Sequence, residues 1–300
     1  MADLDRAAAR WRDEGWVLIE GLIDEATIAA VQAEIADLPL VDDGAGRPSQ
    51  KEFDDSPERG PAFRNAQFTG TRLFPVPGAP TLNRLTVDRR IVGFARRALA
   101  VDDLRLYQAR LWSKRQGRVD YEQPLHRDLN HSLVPTRSEP GWWHLECFLY
   151  LTDVDLGSGA PRLVPRSAGV TSDRLRPVSA EEVPELYGAE VAAVGGPGSL
   201  LAYRSDVWHR GTDITRPGAE RHVLVVAYRP AALEWIGYDP FPPLAINRSF
   251  SAFVADSTPE DLALFGFPPP GHPYWTAAMV DGLAHLYPGL DIEPWRAALG

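Results

Sequence analysis

The sequence predicts a mainly β protein with flanking helices (α+β), built around a sandwich or jelly roll. Three observations lead to that class. The 300 residues include 27 Pro and 25 Gly, a load that calls for many turns and long loops around a sheet rather than a helical bundle. From residue 104 the apolar spacing changes to two, the period of a half-buried strand. Further runs of that kind follow, each short and bounded by Gly, Pro, Asp or Ser, as turn-connected sheets require.

The elements follow in order. Leu4 to Trp11 reads as an amphipathic helix, Trp16 to Ile19 as a short apolar strand, and Asp24 as the cap of a helix running to about Leu38. Residues 41–66 are rich in Asp, Gly, Pro and Ser without a period. A loop of that length is either functional, here a substrate lid, or a plain mobile loop. Another helix is expected over Arg89 to Ala100, with Ile91, Phe94, Ala95 and Leu99 on one face. Leu104 to Trp112 alternates as a strand that places Leu106, Gln108, Arg110 and Trp112 together. Further strands are expected at Leu145–Leu151, Pro161–Val164, Gly198–Tyr203 and His222–Arg229. Beyond Ala232 the chain returns to loop and helix: Ser257-Thr258-Pro259-Glu260 combines a capping box with a first-turn proline, and a final helix is expected around Ala277–Leu286. With no repeat and no linker, residues 1–300 read as one domain: a helical flank over 1–100, a core over about 101–230 and an extension over 231–300.

Bulk properties exclude several functions. A formal charge of −10 argues against a nucleic-acid or anionic-membrane surface, which needs clustered Lys and Arg. There is no apolar run long enough for a membrane span and no signal-peptide pattern. The single cysteine, Cys147, rules out an internal disulfide, suits a reducing cytoplasm, and sits in an apolar run where a buried small hydrophobe is expected. Nothing in the pattern marks an oligomer interface.

Chemistry concentrates in three residues. His126 and Asp128 lie two apart, so on an extended segment both side chains leave from one face, and His209 ends a later strand, the run from Gly198 through Tyr203. Two neutral imidazoles and a carboxylate occupy one face of an Fe(II) octahedron and leave the other open for a chelating cosubstrate and dioxygen. The H-x-D spacing alone is weak, and His144-Leu145-Glu146 offers a similar decoy inside an apolar strand. His131, His144, His222, His272 and His285 read as ordinary polar residues. Arg221 opens the strand after His209, and a guanidinium held near a metal implies an anionic small molecule, since its fork matches a carboxylate bidentately. Arg216, in the preceding loop, is its rival.

These residues carry a resemblance to the phytanoyl-CoA dioxygenase (PhyH) family of Fe(II)/2-oxoglutarate-dependent oxygenases. Asp13 to Ile23 resembles the family's opening strand and turn, and Gln123-Pro124-Leu125-His126-Arg127-Asp128 its first metal motif. Gly157 to Pro165 resembles the central signature, and Gly198 to His209 with Arg221 the last ligand and the cosubstrate arginine. The resemblance implies a double-stranded β-helix (jelly-roll, cupin-like) core that uses Fe(II), 2-oxoglutarate and O2. It assigns the metal to His126, Asp128 and His209 and the cosubstrate to Arg221, Gln123, Phe148 and Arg110. The chain departs from the family at Arg166 and Ala168, where the signature has Gly and His, at Pro161, where relatives often carry a hydroxyl, and at Gly211, where they often have serine.

The activity so implied is hydroxylation or desaturation of an unactivated C–H bond, with succinate and CO2 released. An aspartate at position 128 disfavours halogenation, because halogenating relatives have a small residue there. The alternatives are a non-catalytic cupin-like metal-binding module and a zinc hydrolase, the latter lacking an evident general base. The substrate expected is a small molecule or natural product rather than a CoA thioester, since no basic cluster awaits the CoA phosphates. Trp112, Trp142, Trp143 and Trp208 are candidate pocket residues or core.

Overall fold

A computed structural model describes residues 3–38, 70–116, 122–128, 131–134 and 137–299. The possible lid over 41–66 lies outside the described residues. Nine strands are described: β1 (Trp16–Ile19), β2 (Thr71–Leu73), β3 (Leu104–Arg115), β4 (Leu145–Tyr150), β5 (Arg162–Leu163), β6 (Val191–Ala192), β7 (Leu200–Arg204), β8 (His209–Arg210) and β9 (Glu220–Pro230). The order β1-β7-β4-β9-β3-β2 makes an antiparallel six-stranded sheet, and β6-β5-β8 a smaller one. Flanking helices precede and follow them, including α1 (Leu4–Glu14), α2 (Glu25–Asp37), α3 (Pro80–Arg84) and α4 (Arg89–Leu99).

The helices begin where capping chemistry puts them. Asp3 accepts from the Arg6 amide at 3.0 Å, and Asp24 from the Thr27 amide at 2.8 Å. Gly15 ends α1 at φ 82, a left-handed position that a side chain resists, and its N–H returns to the Trp11 carbonyl. In the C-terminal extension the capping box is Thr258 with Asp261, one residue later than the Ser257–Glu260 spacing suggests, and Pro259 takes the first helical position. The helix over Ala277–Leu286 forms as the period predicts.

Two apolar layers cover the two faces of the large sheet. Leu145, Cys147, Leu149, Ala202, Leu224, Val226, Ala109 and Leu111 face outward, packing with Trp11, Ile91, Phe94, Phe253, Leu262 and Trp295 from the helices. Tyr150, Leu201, Tyr203, Val223 and Val225 face inward against Ala160, Leu163 and Ala193 around the small sheet. Cys147 is buried, and burial pushes its thiol up, which makes it the packing residue expected. Among the described residues no helix is long and apolar enough to cross a membrane.

The structure corrects the single face proposed for β3. Leu106 pairs with Tyr228 and Gln108 with Ala227, so Tyr107 is an extra residue, a β-bulge. The alternation flips at that point. Leu106 joins the outer layer with Ala109 and Leu111, while Gln108, Arg110 and Trp112 turn to the inside.

Candidate metal centre and its cavity

His126 and His209 meet through the backbone. They form an antiparallel bridge, with each amide donating to the other's carbonyl at 2.9 Å. His209 therefore does not end the 200–204 strand, as the sequence suggested; it begins its own strand, β8, in the small sheet. The Asp128 amide is fixed to the Ser205 carbonyl at 3.0 Å.

The three side chains converge. Asp128 Oδ2 lies 3.3 Å from His209 Nε2, Asp128 Oδ1 lies 3.9 Å from His126 Nε2, and one ligand atom from each falls within 4.8 Å of the others. Both Nδ1 atoms face backbone carbonyls at 2.9 Å, His126 that of Pro124 and His209 that of Val207. An Nδ1–H donated to a carbonyl leaves Nε2 as the lone-pair nitrogen, and both Nε2 atoms point to the shared centre. Tyr203 donates its hydroxyl to Asp128 Oδ2 at 3.1 Å, steadying the carboxylate.

The same convergence couples the titration of the three groups. Burial, then the neighbouring His209, lowers His126 to about 4, which keeps it neutral. Burial alone would raise the Asp128 carboxyl, but His209 and the other imidazoles hold it well below the usual carboxylate range. Burial would lower His209, yet the Asp128 carboxylate outweighs it and raises the imidazole. The donor set suits Fe(II): two imidazoles and one carboxylate with a cavity on the open side.

That cavity, of about 560 Å³, is lined by Gln108, Arg110, Trp112, Gln123, Phe148 and Tyr238, with His126 and Asp128 at its wall. Gln123 and Phe148, expected at the cosubstrate, are thus beside the metal candidates. Gln123 Oε1 accepts from the Gly211 amide at 2.7 Å, and a Cβ at position 211 would come within 2.9 Å of that oxygen. A side chain at 211, where relatives often have serine, would push the Gln123 amide aside. Arg110 lines the same cavity but is engaged with Asp239 at 2.8 Å and lies over the Tyr238 ring.

Arg221 is buried, 2% exposed, on the inner face of β9. Its guanidinium donates to the Gly159 carbonyl, while its Nε has no hydrogen-bond partner. Burial lowers it to about 10, so it remains a cation. A buried cation with an orphan donor fits an anionic ligand. The rival Arg216 is half exposed and paired with Asp155. Of the four tryptophans, Trp112 lines the cavity, Trp208 is core under Arg127, Trp143 packs under Arg204, and Trp142 is exposed.

Sequence reasoning passed over part of this site. Asp128, His131 and Glu146 form a second group whose atoms lie within 4.8 Å of one another. His131 and the decoy Glu146 are both buried and bonded to each other at 2.8 Å. Tyr203 and Tyr238 carried no motif. The one available signal was polar residues, Glu146 and Tyr203, at inward positions of otherwise apolar strands.

Comparison with known proteins gives a consistent picture. Residues 11–223 match the family described as Phytanoyl-CoA dioxygenase (PhyH). The fold resembles that of EctD from S. alaskensis in its apoform, at 20% identity and a TM-score of 0.54 over 79% of this chain and 81% of that one. It also resembles the epimerase SnoN in complex with Fe3+, alpha ketoglutarate and nogalamycin RO, at 20% identity and a TM-score of 0.54 over 76% and 84%. A third is AviO1 from Streptomyces viridochromogenes Tue57, at 17% identity and a TM-score of 0.52 over 78% and 97%. At such identities the likeness is one of fold. No curated protein sequence matches the chain.

Proposed function

The chain belongs to the phytanoyl-CoA dioxygenase family of Fe(II)/2-oxoglutarate-dependent enzymes, and on that premise we propose that His126, Asp128 and His209 hold its iron and Arg221 its cosubstrate. The observation that carries this reading is the convergence of the three side chains with both Nδ1 atoms tied to carbonyls. The buried guanidinium of Arg221, with its unpartnered Nε, supports a role for it in binding the far carboxylate of 2-oxoglutarate. Gln123, Phe148 and Arg110 line the cavity beside the proposed ligands.

Fe(II), when bound with 2-oxoglutarate and dioxygen, supplies the oxidising power for hydroxylation or desaturation of a C–H bond, with succinate and CO2 as coproducts. The chain's own residues place the reactants. Tyr203 fixes the Asp128 carboxylate, the carbonyls of Pro124 and Val207 fix the two imidazoles, and Trp112, Phe148 and Val225 keep water from the inner wall. The reading applies to residues 1–300 as one catalytic unit acting on a small molecule.

Anaerobic addition of Fe(II) and 2-oxoglutarate gives a weak visible charge-transfer band if the reading holds, and Asp128→Ala removes both the band and succinate formation. A full-strength band in Asp128→Ala would refute the ligand assignment.

A further inference from the structure

The inner face of the large sheet has two polar ends. In cross-strand register, Tyr203, Glu146, Ala227 and Gln108 form one rung, Leu201, Phe148, Val225 and Arg110 the next, and Tyr150, Val223 and Trp112 the third; Arg221 faces Lys114 beyond them. Arg221 lies six positions along β9 from Ala227, toward the opposite end of this face. The triad sits beside the first rung, where Tyr203 holds Asp128. A cosubstrate reaching for Arg221 extends away from Glu146, so the Glu146 end of the cavity is left for the substrate.

Glu146 is unusual there. It is 1% exposed, yet it lines the cavity, and one of its oxygens lies within 4.8 Å of an Asp128 oxygen and a His131 nitrogen. Two donors hold it. His131 Nδ1 reaches Oε1 at 2.8 Å, and the Tyr107 hydroxyl donates to the same oxygen. Because the Tyr107 proton goes to the carboxylate, the 2.7 Å contact between that hydroxyl and His144 Nδ1 requires the imidazole to be the donor. Among the described residues Oε2 receives no hydrogen bond. Because Glu146 lines the cavity, a donor on a ligand held there can reach its carboxylate.

We propose that Glu146, held by His131 and Tyr107, determines specificity by receiving an amine or hydroxyl group of the substrate, so that the enzyme takes a small polar molecule and not an acyl chain. The neighbouring wall agrees: Gln108, Tyr238 and the Arg110–Asp239 pair are polar groups facing the same space. An acyl chain lodged there would strip Oε2 of water and return no hydrogen bond. A substrate carboxylate would meet two buried carboxylates, Glu146 and Asp128. This proposal rests on the Fe(II)/2-oxoglutarate reading above.

The test uses the full chain loaded anaerobically with Fe(II) and 2-oxoglutarate, with perturbation of the visible band as the readout of substrate-site binding. The probes are a panel of amino sugars and cyclitols, including glucosamine and myo-inositol, against decanoate. The expected result is saturable perturbation by panel members and none by decanoate. Glu146→Leu weakens that binding at least tenfold while the band itself persists. Glu146→Gln, which is isosteric and guards against misfolding of the leucine variant, separates the two donor classes. It keeps cyclitol binding if a hydroxyl is received and loses amino-sugar binding if an ammonium is. Perturbation by decanoate alone, by none of the polar panel, or at undiminished affinity in Glu146→Leu overturns the proposal. Absence of the band itself would instead overturn the cofactor reading.

Discussion

The two faces of the large sheet come from the same strands and follow different rules. Outward, Leu145, Cys147 and Leu149 of β4 and Leu224 and Val226 of β9 meet helices through apolar area alone. Inward, the alternate residues include Glu146, Arg110, Gln108, Lys114 and Arg221, all buried and all polar or charged. The outer layer holds by contacts that many apolar side chains could provide. The inner one holds by particular partners: Tyr107 and His131 for Glu146, Asp239 for Arg110, Tyr203 for Asp128. Stability and chemistry are thus written on alternate residues, one face apart.

That separation can be broken or sharpened by experiment. Leu149→Ala, on the outer face, should cost about 2–5 kcal/mol in chemical denaturation while the Fe(II)–2-oxoglutarate band stays intact. Loss of the band before loss of the fold would show that the faces are not independent.

A pH series probes the boundary between them. Burial lowers His144 to about 4, whereas an unfolded histidine titrates near 6.5. Above pH 6.5 neither state holds the proton and the contribution of His144 is complete. Between 6.5 and 4 the unfolded chain takes up a proton that the fold refuses, so stability falls by up to about 3 kcal/mol as the pH drops. Urea midpoints at pH 7 and pH 5 measure this, and a His144→Asn variant should reduce the difference, leaving the share that His126, lowered in the same way, contributes.

On the inner face, Arg221→Lys keeps a charge but not the fork, and should weaken 2-oxoglutarate binding roughly tenfold to a hundredfold by titration of the band. The smallest effect expected is that of Tyr203→Phe. It removes one hydrogen bond to Asp128 and should lower Fe(II) affinity by about tenfold without a change in the unfolding midpoint.

The sequence made the outer face easy to read, because period-two and helical apolar patterns are summed over many residues. It also made the triad readable, since His126, Asp128 and His209 sit in recognisable surroundings. It misplaced what depends on a single residue. Leu106 was grouped with Gln108, because nothing in the alternation announces that Tyr107 is looped out. His209 was placed at the end of one strand, although the turn over Ser205–Trp208 carries it to another sheet. Glu146 looked like half of a false motif, since its partners, His131 and Tyr107, come from a loop and from the bulge.

The looped-out residue of β3 has a consequence for how this protein can vary. Losing Tyr107 would leave Leu106 opposite Tyr228 and Gln108 opposite Ala227, so both faces of the strand would keep their residues while Glu146 lost a donor. A length change there is absorbed at one position and is not passed to the later side chains of the strand. A single-codon gap at this corner would therefore edit the polar wall and leave the sheet standing.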